Sequence, residues 1–147
     1  IRRVLQTAPT SALYSDEAVE LLMLTAAVES RMGRFIKQVG GGPALGIFQM
    51  EPATAGDIWN NFLCWNNGLI EWAASFRWNG YYKLVDDLES NLAYQIVMAR
   101  LHYYRSPKPL PGMDPQGLAQ YWKDVYNTRL GKGTVEKAQL MYEQLAL

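Results

Sequence analysis

Apolar positions in the first third of the chain recur at helical spacing. Val19, Leu22, Ala26 and Glu29 are separated by 3, 4 and 3 residues, which puts them on one face of a helix. Ser15 precedes the segment as an N-cap, and Asp16 and Glu17 fill the first turn, where the helix dipole favours acids. The pattern predicts a helix over 16–31, ended by Gly33. The periodicity then changes. Phe35-Ile36-Lys37-Gln38-Val39 and Gly46 to Met50 read as two short strands around Gly40-Gly41-Gly42-Pro43, a small β-hairpin. Beyond it the chain is helical again. Pro52 suits the first position of a helix through about 61, and further segments run over about 67–77 and 90–105. Pro107, Pro109 and Pro111 force an irregular loop. Asp114 caps a helix from Pro115 to about Thr128. Gly131-Lys132-Gly133 breaks the chain, and Thr134 caps a last helix to about 145. There is no repeat, low-complexity segment or linker. The expectation is one domain over residues 1–147, mainly α with a small β element.

Bulk properties narrow the choice of partner. A chain of 147 residues with 49% hydrophobic residues can bury one sizeable core. Lys+Arg and Asp+Glu are both 14, so no basic excess points to nucleic acid. A neutral polysaccharide or an ordinary protein surface fits better. Cys64 is the only cysteine, so no intrachain disulfide forms, and His102 is the only histidine. A Ser-His-Asp or Cys-His site would have to use His102, and there is no G-x-S-x-G motif. A structural zinc site needs more Cys and His than the chain has. No apolar run reaches the roughly 20 residues of a membrane span. The opening Ile1-Arg2-Arg3-Val4 does not read as a signal peptide, and its lack of Met is compatible with an upstream piece having been removed.

Glu29 is the first candidate for chemistry. A carboxylate on an apolar stripe is costly unless it is paired or used. Partial burial and the negative end of the helix dipole both raise its pKa, and a carboxyl group protonated near neutrality can give a proton to a leaving oxygen. The alternative is a glutamate turned to solvent at a frayed helix end. Downstream, three glycines and a proline permit a backbone that approaches a ligand closely. Gln49 there offers the donor and acceptor groups that bind sugar hydroxyls or N-acetyl groups. A plain turn carrying an incidental glutamine is the competing view.

These residues carry a resemblance. Glu29-Ser30 at a helix end, followed by Ala44-x-Gly46-aliphatic-x-Gln49-x-x-Pro52-x-Thr54-Ala55, resembles the catalytic and loop motifs of soluble-type lytic transglycosylases. Asn91-Leu92-Ala93-Tyr94 resembles the family's third motif. Val125-Tyr126-Asn127, with Gly131-Lys132-Gly133-Thr134-Val135, resembles the segment that closes its cleft. The likeness spans roughly residues 20–140. It implies a lysozyme-like fold, a helical bundle around a small β-hairpin next to the catalytic cleft. It also implies roles. Glu29 would be the acid that protonates the glycosidic oxygen and then acts as base. Ser30 would orient Glu29 or the substrate, and Gln49 and the backbone around Met50 would hold the sugar. Tyr126 would contact Glu29 or the substrate, although a core aromatic reads the same way, and Asn127 would brace the cleft. The sequence departs from the family at Gly40 and Pro43, where a serine and a glycine are usual. Thr128-Arg129-Leu130 also interrupts the run from asparagine into glycine.

Glu29-Ser30-Arg31-Met32-Gly33 also resembles the Glu-Ser-x-x-Gly of goose-type lysozymes. Those enzymes carry an aspartate where this chain has Glu51, and a second carboxylate there would position water for an inverting hydrolysis, given a separation of roughly 6.5–9.5 Å. Glu51 also reads simply as an acidic residue at the start of a helix. Both resemblances imply cleavage of the β-1,4 bond between N-acetylmuramic acid and N-acetylglucosamine in peptidoglycan. A transglycosylase would leave a 1,6-anhydro product, and neither enzyme requires a metal or organic cofactor. Such an enzyme works in the bacterial periplasm or cell wall, and a phage-encoded or virion-borne origin would explain the missing export signal. A third view, of another class, is an inactive wall-binding or structural module of a phage particle or secretion machine.

Overall fold

The computed structural model describes residues 1–78, 83–128 and 130–147. The described residues form eight α-helices. They are α1 (Arg2–Leu5), α2 (Asp16–Ser30), α3 (Pro52–Asn61), α4 (Asn67–Ser75), α5 (Leu84–Ser90), α6 (Leu92–Tyr104), α7 (Pro115–Trp122) and α8 (Val135–Leu145). Short 3-10 turns occupy Ser11–Leu13 and Leu63–Trp65, and a π-helical turn over Lys123–Asn127 extends α7.

Local chemistry explains most of the helix starts. Ser15, Asn66, Asn91, Asp114 and Thr134 each accept a backbone N–H from the first turn of the helix that follows. Pro52 and Pro115 stand at the start of α3 and α7, where a missing N–H costs nothing. Helices α1, α3 and α5 carry no such side-chain cap on the preceding residue, and α1 and α5, which also lack a leading proline, escape the sequence pattern. At α5 the order is reversed, with Asp86 Oδ2 accepting the Lys83 N–H at 2.8 Å.

Helices α2 and α6 form the centre. Helix α2 packs against α6, α7 and α8, and α6 also touches α1, α3, α4 and α5. Both are buried on most sides, with Leu21, Leu22 and Leu24 of α2 and Val97, Met98 and Leu101 of α6 in the core. The Thr25 hydroxyl lies 2.7 Å from the Tyr103 hydroxyl and links the two helices inside that core. Buried Arg100 donates to the carbonyls of Leu13 and Ala12, fastening the N-terminal segment to α6.

The expected hairpin does not form. Residues 34–50 make only two isolated bridges, Lys37 with Leu45 and Leu45 with Met50. One residue, Leu45, serves both, so no strand extends. Gly46 and Gln49 take φ of 76° and 46°, outside the extended region, and break the run that was read as a second strand. Phe35, Ile36 and Val39 are exposed, so the apolar run before the glycines has no sheet face to bury. The segment is instead a looped strap, pinned by Gly46 N–H to Ile36 O and by Gln38 Oε1 accepting the Ala44 N–H. The fold is thus mainly helical, without the α+β element.

Candidate active site

Helix α2 ends on an unusual backbone. Arg31, Met32 and Gly33 have φ of 52°, 59° and 87°, three successive left-handed residues, two of them without the freedom of glycine. The expected terminator, Gly33, is therefore the last of three. Ser30 stabilises this exit. It is fully buried, and its Oγ accepts the Gly33 N–H at 2.8 Å and donates to Ile47 O at 2.6 Å. Ser30 does not line the cleft; it ties the end of α2 to the strap.

A cleft of about 650 Å³ lies beside this junction. Glu29, Gln49, Met50, Glu51, Tyr126 and Asn127 all line it, six of the seven residues singled out from the sequence. Glu29 is mostly buried, and its Oε1 accepts the indole N–H of Trp122 at 2.9 Å. Burial raises its pKa from 4.5 to about 7, against the opposing pull of the Trp122 hydrogen bond. The carboxyl group is thus poised to be protonated and to release its proton near neutrality.

The strap presents its atoms selectively. Gln49 spends its amide N–H groups on Gly46 O and Phe35 O, at 2.9 and 3.2 Å. Its carbonyl oxygen remains as an acceptor, not the donor and acceptor pair expected. Met50 is buried, and its backbone N–H and C=O both pair with Leu45, so that backbone is already occupied. Glu51 is exposed, precedes α3 and makes no side-chain capping bond.

The π-helical turn forms another part of the wall. It follows Trp122 directly and brings two side chains of one segment to different partners, the Trp122 N–H to Glu29 and the Tyr126 O–H to Phe48 O at 2.9 Å. Tyr126 therefore braces the strap rather than bonding to Glu29. Burial, and then the nearby Glu29, keep its hydroxyl protonated well above the usual range. Asn127 Oδ1 accepts from Lys123 Nζ at 2.7 Å, and the same ammonium donates to Gly131 O at 2.8 Å. Lys123 thus ties Asn127 to Gly131 at the edge of the cleft. Arg129, in the middle of the inserted Thr128-Arg129-Leu130, lies outside the described residues.

Against known proteins, the chain shows no significant match to any family model, curated protein or solved structure. The site must be judged on its own chemistry.

Three residues of that chemistry escaped the sequence. Trp122 reads as an ordinary core aromatic, and nothing in the pattern pairs it with a residue 93 positions away. Gln95, on buried α6, accepts the Ile47 N–H at 2.7 Å and fixes the strap from behind. His102 lines the cleft; its ring meets that of Tyr126 edge to face at 4.9 Å, and its Nδ1 lies 3.0 Å from Arg105. Burial first, and then the Arg105 charge, push its pKa down to about 4, so the ring is neutral at pH 7.

Proposed function

We propose that the chain cleaves the β-1,4 bond between N-acetylmuramic acid and N-acetylglucosamine in bacterial peptidoglycan, as a lytic transglycosylase. The observation that carries this reading is Glu29, a carboxyl group raised to about 7 on the wall of an open cleft, beside the Gln49 strap. In the first step Glu29 gives its proton to the glycosidic oxygen and the C1–O bond breaks. The sugar retaining C1 acquires oxocarbenium character, and the N-acetylglucosamine leaves with a free hydroxyl. In the second step the Glu29 carboxylate takes the proton of the muramic acid 6-hydroxyl as that oxygen bonds to C1. The product is the 1,6-anhydro sugar, and Glu29 ends protonated as it began.

A second reading shares the first step. Glu51 lines the same cleft, and its side chain is not engaged in capping α3, which leaves it free to orient water. The chain would then be a muramidase of the goose type. Mass spectrometry of digested peptidoglycan separates the two, because hydrolysis yields reducing-end muramic acid and transglycosylation yields the anhydro form. Glu29→Gln should lower either activity by about two orders of magnitude or more. Retention of lysis by that variant would remove Glu29 from its role. Absence of any cleavage by the wild type, in a turbidity assay on bacterial walls, would favour an inactive wall-binding or structural module.

The substrate places the site of action in the bacterial cell wall or periplasm, whether the enzyme is bacterial, phage-encoded or carried in a virion or secretion machine. No helix among the described residues is long and apolar enough to cross a membrane.

A further inference from the structure

His102 is the one histidine of the chain, and neither step above uses it. It lines the same cleft as Glu29 and Gln49. Its Nδ1 faces the Arg105 guanidinium at 3.0 Å. A guanidinium only donates, so Nδ1 must be the accepting nitrogen and Nε2 must carry the hydrogen. Arg105 is held in turn by Asp57 Oδ2 at 2.5 Å, from α3. The Asp57–Arg105–His102 chain fixes the tautomer and the ring. Among the described residues Nε2 has no hydrogen-bond partner, and no buried polar side-chain atom there lacks one, so the Nε2–H group is accessible, on a residue that lines the cleft.

Gln49 offers the complementary group. Its two N–H donors are consumed within the strap, so it presents only a carbonyl oxygen. His102 and Gln49 therefore contribute one fixed donor and one fixed acceptor to the cleft wall. An amide ligand needs that pair, one partner for its C=O and one for its N–H.

We propose that His102 is a substrate-binding residue whose Nε2–H donates to the carbonyl oxygen of a substrate acetamido group, with Gln49 Oε1 as the acceptor for an amide N–H. This deepens the proposed function and rests on it for the choice of an N-acetylated glycan. The site would favour N-acetylated over de-N-acetylated sugars, because a free amine offers no acceptor to His102.

The probes are tri-N-acetylchitotriose and its fully de-N-acetylated counterpart, each titrated into the full chain by calorimetry. Long-range proton–nitrogen NMR on the single histidine should show Nε2 protonated and Nδ1 bare at pH 7, and the Nε2 signal should move on adding the acetylated sugar. His102→Ala should weaken binding of the acetylated sugar about tenfold, the usual worth of one neutral hydrogen bond. His102→Gln, which restores an N–H donor, should recover much of the loss. The de-N-acetylated sugar should be indifferent to both changes. An unmoved Nε2 signal on binding, or equal affinity in wild type and His102→Ala, overturns the proposal. Wild-type cleavage of cell walls is measured alongside. Cleavage with His102-independent binding overturns this inference alone. His102-dependent binding without cleavage overturns the catalytic reading alone. Neither cleavage nor binding overturns both.

Discussion

Glu29 and Trp122 form a balance at the scale of single residues. Burial favours the neutral acid, and the indole N–H at 2.9 Å favours the carboxylate. A pKa near 7 is the resultant, and it suits a group that must first give and then take one proton. The acid form predominates below about pH 7, so the rate should fall as pH rises through that value. Trp122→Phe removes the donor while keeping an aromatic ring. Glu29 should then hold its proton to higher pH, and the alkaline limb of kcat/KM should move upward by a fraction of a pH unit or more. An unchanged limb would mean that another group sets it. His102 adds no limb between pH 5 and 8, because burial and the Arg105 charge keep it neutral there.

At the scale of elements, the site depends on close approaches that only glycine permits. A Cβ at Gly46 would stand 2.2 Å from Leu88 O and 2.4 Å from Gln95 Oε1, at a φ of +76°. Backbone strain and collision with a main-chain oxygen both oppose a side chain there, so Gly46→Ala should cost at least about 2 kcal/mol in chemical denaturation. A Cβ at Gly133 would meet Trp122 Cη2 at 2.4 Å. The indole is fully packed and has little room to move. Gly133→Ala should therefore cost about 1–3 kcal/mol and also slow the reaction, by displacing the group that hydrogen-bonds Glu29. Activity that falls no further than the folded fraction would show that Trp122 had not shifted. These dependencies also explain what could be read from the chain. Caps and prolines mark α2, α3, α7 and α8 because helix starts are local chemistry, decided by side chains within three residues. The strap misled, because short apolar runs flanked by glycines look alike as strands or as loops. Its actual course is set by remote groups, namely Gln95, Tyr126 and Ser30. Glu29 stood out because a charge on an apolar stripe is locally anomalous, whereas Trp122 and His102 look ordinary until the fold brings them to the cleft.

Over the whole molecule, the same buried carboxyl that serves the chemistry should weaken the fold at high pH. Unfolded, Glu29 titrates near 4.5; folded, it titrates near 7. Between these values the native state holds a proton that the unfolded chain releases, so stability falls as pH rises. The loss is absent below about pH 4.5, develops across the interval and is complete above about pH 7. At about 1.4 kcal/mol per pH unit it is on the order of 3 kcal/mol, a sizeable share of the stability of a domain of this size. Glu29→Gln keeps the shape and an oxygen for the Trp122 N–H but cannot ionise. Urea unfolding should find the variant close to wild type at pH 4.5 and clearly more stable at pH 8, with the difference growing up to about pH 7 and levelling off above it. A difference that stays constant across that range would mean that Glu29 titrates alike in both states, and the acid proposed to start the cleavage would then be ionised at neutral pH. A growing difference, in a variant that has also lost activity, would trace both the chemistry and its cost in stability to one side chain at the end of α2.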